Sequence, residues 1–171
     1  MKNSLLLLLI MIGALAFSCR DSEEHQVMSV ERYIALLKSG QYKAMELPAF
    51  KYEQISELIQ YINADQIIKD APVNPLSSMY VGEVRLGMYV AWTIESIRTM
   101  AIDKQEVLGR FPSLVPVIMM KHTDDFSPVS EAQAHPVVAK AYQDWWELHA
   151  SKPFEAFKSI NPLENTPYRW Y

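Results

Sequence analysis

Cysteine occurs only once in the 171 residues of this chain. An intrachain disulfide and a zinc site made of several cysteines are therefore excluded. Glycine is also scarce, with 5 residues, whereas Met and Tyr reach 9 each, and this composition favours helices over a strand-and-turn protein. The formal net charge of −4 gives the chain no electrostatic reason to bind nucleic acid or an anionic lipid surface. With 50% apolar residues, the chain can form one domain with a hydrophobic core.

The chain also lacks a long hydrophobic run. Its longest uncharged apolar stretch near the N-terminus, Leu5 to Phe17, follows the positive charge of Lys2. A membrane-spanning helix needs about 20 apolar residues, so this stretch is too short to be one. It has the length of a signal-peptide core, and we predict that residues 1–18 are a signal peptide.

The single cysteine follows this stretch directly. Ala16, Phe17 and Ser18 precede Cys19, and the segment resembles a bacterial lipobox. We predict that Cys19 becomes the first mature residue and carries acyl chains, palmitate among them, which anchor the protein in the outer membrane. The alternative is ordinary cleavage after Ser18, because small residues also flank Phe17. That cleavage would leave an unpaired thiol at the N-terminus of an exported protein.

Residues 19–29 are predicted to form the lipidated cysteine and an acidic tether. The acidic residues Asp21, Glu23 and Glu24 cannot form a core and should be solvated. An acidic cluster behind a lipidated cysteine resembles the surface-export signal of lipoproteins in Bacteroides-like bacteria. The alternative is a charged spacer that faces the periplasm. The predicted location is thus the outer membrane, facing either the periplasm or the cell surface.

Residues 30–171 are predicted to form a single all-α domain, a bundle of about five helices. The first helix should begin after Ser29, a capping residue, and stop at Gly40. A second amphipathic stripe covers residues 52–62. The third segment, 81–103, is apolar on nearly all sides between 86 and 97, which predicts a central, buried helix.

Three further features complete this fold prediction. Gly87, within the long helix, predicts close approach of another element, and Glu95 and Arg98 are spaced to pair at its surface end. The Pro-containing segment 104–126 holds either a short buried helix or a strand. A last long helix should begin at Pro136, a short one should follow Pro153, and the tail shows no periodicity.

Candidate catalytic and metal-binding residues form no recognisable motif. His122, Asp124 and Asp125 could ligate a metal, but three ligands in four residues converge with difficulty, and an exposed turn is the alternative. Serines occur in no nucleophile motif, and no phosphate-binding glycine loop is present. We therefore predict no cofactor and no metal. The carboxylates Glu83, Glu95 and Glu147 sit beside apolar residues and could serve a hydrolase, although surface or i,i+4 pairing is the simpler explanation.

The aromatic residues near the C-terminus suggest a binding surface. Trp146, Trp170 and Tyr168 are candidate binding residues, because an exposed aromatic edge could stack on a sugar or a partner protein. In the alternative, the tail folds back and its rings complete the core.

Several segments together resemble a known family. They are RLGMYVAWTIESIR at 85–98, ELPAF at 46–50, NPLSS at 74–78, and a C-terminal NPL followed by YRW. The chain resembles, over about residues 27–171, a family of small uncharacterised lipoproteins from Bacteroides-like bacteria. This resemblance implies export and lipidation, and it implies no activity and no site residue.

The sequence thus predicts a cell-envelope lipoprotein that is a binding or interaction module rather than an enzyme. Its predicted partners are the membrane, through the N-terminal lipid, and either a glycan or an envelope protein, but not nucleic acid. The alternative is an envelope hydrolase with an acidic site or a site centred on His122.

Overall fold

The computed structural model describes residues 28–75, 78, 83–102, 113–122 and 127–171. The α-helices within these ranges are α1 (Val30–Lys38), α2 (Ile55–Leu58), α3 (Leu86–Ile102) and α4 (Glu131–His149). The β-strands are β1 (Ile67–Ile68), β2 (Val84–Arg85), β3 (Ile118–Met120) and β4 (Tyr168–Trp170). Short 3₁₀ turns cover Tyr52–Gln54, Ile59–Tyr61 and Phe154–Ala156.

The strands form two small antiparallel sheets, so the prediction of an all-α bundle of about five helices is wrong. β1 pairs with β2, and β3 pairs with β4, with Ile118 opposite Trp170 and Met120 opposite Tyr168. The described residues contain four α-helices and are 47% helical, which makes the domain mixed α/β. Each strand is two or three residues long, too short for the alternating pattern that identifies a strand in a sequence.

The first two predicted helices are confirmed. The Ser29 side chain accepts a hydrogen bond from the Arg32 backbone N–H at 3.2 Å, and α1 follows it. Gly40 has a φ of +68°, a left-handed conformation that ends a helix and that favours glycine. The second stripe folds as one helical segment in which α2 lies between the 3₁₀ turns Tyr52–Gln54 and Ile59–Tyr61.

The boundaries of the two long helices differ from the prediction. α3 begins at Leu86 rather than near residue 81, because the two residues before it pair with β1. α4 begins at Glu131, and Pro136 lies inside it rather than at its first turn. Proline has no backbone N–H, so the Ala132 carbonyl lacks its usual helical donor there.

The predicted central helix is confirmed, because every α3 residue from Leu86 to Thr99 is buried. The close approach predicted for Gly87 is also confirmed. A Cβ atom at Gly87 would overlap the His135 side chain of α4 and the Ile62 carbonyl oxygen. Glycine is therefore required where α3 passes between these two elements.

The C-terminal region contains less helix than predicted. A single 3₁₀ turn, Phe154–Ala156, stands where a short helix was expected, and the tail forms β4. Within the described residues, we find no helix whose length and apolar character would let it cross a membrane.

Candidate functional site

Two of the three residues of the predicted aromatic edge lie in the core. Trp170 is 6% exposed and Tyr168 is 5% exposed. The Trp170 ring lies 5.1 Å from that of Trp92, and its Nε1–H donates to the Tyr142 hydroxyl at 2.9 Å. This is the arrangement of the alternative, in which the folded-back tail completes the core.

Trp146 is half-buried on α4. Its ring lies 6.1 Å from that of Trp145 and 6.4 Å from that of Phe157. Trp145 and Tyr142 continue this series of ring contacts toward Trp170. Trp146 and Trp170 thus belong to one series of ring contacts, but the three predicted residues form no common exposed edge. Their role in binding stays a prediction.

The predicted lipid and metal residues lie mostly outside the described residues. Cys19, Asp124 and Asp125 belong to the ranges that the structure does not describe. His122 is exposed in the turn after β3, with a φ of +56°. In the described part of the chain, no three His, Cys, Asp or Glu side chains cluster as a metal site.

The structure places the three predicted carboxylates in different environments. Glu147 is exposed on α4 and accepts a hydrogen bond from Gln143 Nε2 at 3.1 Å. Glu83 is exposed just before β2. Glu95 is buried in α3. The surface pairing that was the alternative is thus found for Glu147, whereas Glu95 is buried.

Glu95 belongs to a buried polar network. Arg98 Nη2 donates to Glu95 Oε1 at 2.6 Å, and Arg98 Nε donates to Glu95 Oε2 at 2.9 Å. The Tyr142 hydroxyl donates to Glu95 Oε2 at 2.8 Å, and burial with the neighbouring Glu95 raises the pKa of Tyr142 well above its usual value. Arg98 Nη1 donates to the Lys158 carbonyl at 2.9 Å. The predicted pair exists, but it lies in the core, not on the surface.

A first concave site, the α4 groove, lies between α4 and the segment after the Phe154–Ala156 turn. It has a volume of about 470 Å³. Its aliphatic lining includes Leu148, which is 67% exposed, and the exposed side chains of Val137 and Ile160. Such a concentration of exposed large apolar side chains typically marks an interaction site.

The polar side chains of the α4 groove leave it without net charge. Lys140 Nζ lies 2.7 Å from Asp144 Oδ2 and neutralises it. Burial and the Lys152 ammonium lower the pKa of His149, which is therefore neutral at pH 7. Trp145 also lines the groove, and its indole Nε1–H has no partner among the described residues.

A second concave site, the Glu131 cavity, lies where α4 begins. It has a volume of about 330 Å³. Glu131 is 9% exposed, and its Oε2 accepts the Arg85 backbone N–H at 2.6 Å. Its Oε1 and the Arg85 Nε are both buried and lack a hydrogen-bond partner within the described ranges. Buried polar atoms are usually paired, and these two unpaired ones belong to residues that line the same cavity.

Charged groups surround Glu131 on two sides. Burial raises the pKa of the Glu131 carboxyl from 4.5 to about 7, although the hydrogen bond from the Arg85 backbone and the Arg85 charge both oppose the shift. The Arg85 guanidinium is held by Asp65, with Nη1 2.6 Å from Oδ1. His135, one turn along α4, donates from Nε2 to the Ile62 carbonyl at 2.9 Å. A raised pKa beside a fixed cation in a cavity is typical of functional sites.

The pairing of Glu131 with Arg85 could not be predicted from the sequence. A glutamate directly after Ser130 indicates the start of a helix, where carboxylates are common, and gives no sign of burial. Arg85 comes from a segment 46 residues earlier in the chain. Their contact depends on how α3 packs against α4, which neither local pattern encodes.

These observations define a small mixed α/β domain with a closed polar network in its core and two concave sites along its last helix. A family model described as a domain of unknown function, DUF4943, matches residues 24–171, and the chain belongs to this family. No curated protein and no solved structure shows a significant match to the chain.

Proposed function

We propose that this protein is a cell-envelope lipoprotein, of the kind found in Bacteroides-like bacteria, whose domain binds a protein partner through the α4 groove. In this proposal residues 1–18 are removed, Cys19 carries the acyl chains, and residues 19–29 connect the anchor to the domain. Several acyl chains anchor a protein stably, whereas one chain gives only reversible binding. The domain then presents the groove to other components of the envelope.

The exposed aliphatic lining of the α4 groove is the observation that carries the binding role. Leu148, Val137 and Ile160 are solvent-exposed at a concave site, so covering them would release apolar surface from water. Sugars are usually bound on the flat faces of aromatic rings, and the one indole that lines the groove, that of Trp145, is buried. Branched aliphatic side chains instead complement the apolar side chains of a protein segment.

The charge of the α4 groove supports the same partner. The pairing of Lys140 with Asp144 and the neutral His149 leave no net charge to attract an ionic ligand. We therefore propose an uncharged segment with at least one apolar anchor residue as the occupant.

A selection of displayed linear peptides on the full chain, with counter-selection on the variant L148D, tests this proposal. We expect the enriched peptides to be uncharged and to carry an apolar residue at a fixed position. L148D should abolish their binding.

Met45 provides the matched control. It is an exposed large apolar residue outside the groove, so M45D introduces the same charge on the surface without touching the site. M45D should leave peptide binding unchanged. Peptides that bind native protein and L148D equally would refute the groove as the site. A glycan array on which L148D loses a sugar signal would replace the protein partner with a glycan.

The anchor requires its own test. Intact-mass analysis of the protein expressed in a bacterial host that processes lipoproteins should show acyl mass on the fragment that begins at Cys19. The variant C19S should be released from the membrane fraction with its domain still folded. A mature chain that begins at Cys19 with a bare thiol would support ordinary cleavage after Ser18, and the peptide-binding result would not be affected.

A further inference from the structure

We propose that the Glu131 cavity is a second ligand site, separate from the α4 groove, which binds a small carboxylate carried on a short apolar chain. In this complex the Glu131 carboxyl is protonated and donates through Oε1 to the ligand, and Arg85 Nε donates to the same carboxylate. This proposal stands independently of the protein partner proposed above.

The two unpaired atoms define the polar end of the site. Arg85 Nε carries an N–H that lacks an acceptor among the described residues, while Asp65 holds the Nη1 end of the guanidinium. Glu131 Oε2 accepts the Arg85 backbone N–H, so any proton on the carboxyl belongs on Oε1. Both atoms are covered by protein, so the Arg85 and Glu131 side chains must turn toward the cavity before one carboxylate can accept from both donors and pair with the Arg85 charge.

The position of the cavity at the start of α4 favours an anion further. α4 has 19 residues, and Ser130 and Glu131, at its N-terminal end, line the cavity. The first N–H groups of a helix have no intrahelical partner and carry a partial positive charge. This partial charge adds to the attraction that Arg85 Nε and Glu131 Oε1, the two unpaired atoms, provide for an anion.

The remaining lining residues indicate that the other end of the ligand is apolar. Pro116, Val117, Ile118 and Val129 form an apolar wall. A volume of about 330 Å³ lies at the small end of ligand sites, so the apolar portion must be short. A carboxylate attached to a chain of a few carbons fits both ends.

The charged groups around Glu131 set the pH dependence. Arg85 faces it from β2, Glu83 precedes that strand, Asp65 is paired with Arg85, and His135 follows on α4. The described segments 113–118 and 127–130 contribute only uncharged residues to the lining. Ionised Glu131 would repel a carboxylate at hydrogen-bond distance, so binding requires the protonated form. Affinity should therefore fall as pH rises through the pKa of Glu131, about 7.

Calorimetry with three probes of equal length tests the proposal on the full chain. They are pentanoate, pentylamine and pentanamide, each titrated at pH 6 and pH 8.5. We expect pentanoate to bind more tightly than the other two at pH 6, and its affinity to fall roughly 30-fold at pH 8.5, the change in the protonated fraction of a group with a pKa near 7. Above pH 7, binding should take up a proton, which two buffers of different ionisation enthalpy measure.

The variant E131Q gives the sharpest result. Its amide keeps an oxygen for the Arg85 backbone N–H and offers a permanent N–H donor to the ligand. E131Q should bind pentanoate with similar affinity at both pH values, and R85M should lose binding. E147Q removes an exposed glutamate from the same helix and should behave as the native protein at both pH values.

Other outcomes would overturn the proposal. Pentylamine binding that strengthens at pH 8.5 and disappears in E131Q would make the site a cation site. The absence of heat with all three probes, while circular dichroism shows a folded chain at both pH values, would exclude a carboxylate ligand of this size. Equal affinity of the native protein for pentanoate at the two pH values would exclude the required proton on Glu131.

Discussion

Two Glu–Arg pairs in this domain meet the same physical problem with different outcomes. Glu95 and Arg98 are joined by two hydrogen bonds in the core, and Tyr142 and the Lys158 carbonyl add partners to them. At the start of α4, Glu131 meets Arg85 through a backbone N–H, and each side chain keeps an unpaired buried atom within the described part of the molecule. One pair is closed, and the other is open toward a cavity.

The difference between the two pairs distinguishes a buried ion pair that only stabilises the fold from one that could also bind a ligand. A buried charge costs several kcal/mol of desolvation, which a complete set of hydrogen bonds largely offsets. The Glu95 network meets this condition. The Glu131 pair does not, and its carboxyl responds with a raised pKa. A domain that retains an unsatisfied buried pair on a cavity wall has a place where a ligand completes the hydrogen bonds.

The largest effect should follow from breaking the closed pair. R98M removes the guanidinium that donates two hydrogen bonds to Glu95 and leaves the carboxylate buried. We expect the free energy of unfolding to fall by about 3–5 kcal/mol, as for other buried pairs that lose one partner. Urea unfolding measures this loss.

The double variant E95L/R98M is the control for this effect. It removes both charges and should recover part of the lost stability, because apolar side chains of similar volume often replace a buried pair without loss. The Tyr142 hydroxyl loses its acceptor in this variant, which limits the recovery. A double variant less stable than R98M would mean that the pair contributes net stability beyond its own desolvation.

The open pair should respond to pH instead. Because burial raises the pKa of Glu131 from 4.5 to about 7, the folded state holds a proton that the unfolded state releases between these values. The contribution of Glu131 to the free energy of unfolding is therefore fully present below about pH 4.5 and is lost as pH rises to about 7. The loss amounts to about 3 kcal/mol, since each pKa unit corresponds to about 1.4 kcal/mol.

The variant E131Q should remove this loss. Its stability relative to the native protein should rise by about 3 kcal/mol from pH 4 to pH 8, because glutamine does not titrate. Urea unfolding across this pH range measures the difference, with E147Q as the exposed control. A constant difference between E131Q and the native protein would show that Glu131 is ionised at pH 5 as in the unfolded chain.

Gly87 lets α3, which carries Glu95 and Arg98, approach α4, which carries Glu131. G87A should lower the free energy of unfolding by about 1–3 kcal/mol, the usual range for overpacking, because the added Cβ meets a backbone carbonyl as well as the His135 ring. If α4 moves away to relieve the overlap, Glu131 becomes more solvated and the pH dependence of stability becomes shallower. Unfolding at two pH values measures both effects. Native stability in G87A would contradict the close packing at this residue.

Part of this architecture could be predicted from the sequence. Ser29, Gly40 and the apolar run of α3 are local signals, and each predicted the structure that is found. The strands could not be predicted, because two or three residues in a sheet depend on a partner far away in the chain, as Met120 on Tyr168. Glu131 and Arg85 were missed for the same reason, since their burial follows from helix packing.

The smallest effect should come from the outer partner of the open pair. Asp65 is 77% exposed, so its contact with Arg85 at 2.6 Å lies largely in solvent. D65N should change the free energy of unfolding by at most about 1 kcal/mol, as solvent-exposed ion pairs do. This contrasts with the loss expected for R98M, although both changes break an ion pair of the same length. Urea unfolding at low and high salt measures the change in the free energy of unfolding. A loss as large as that of R98M would mean that the Arg85–Asp65 pair stabilises the fold as much as the core pair does. The distinction between the two Glu–Arg pairs would then fail.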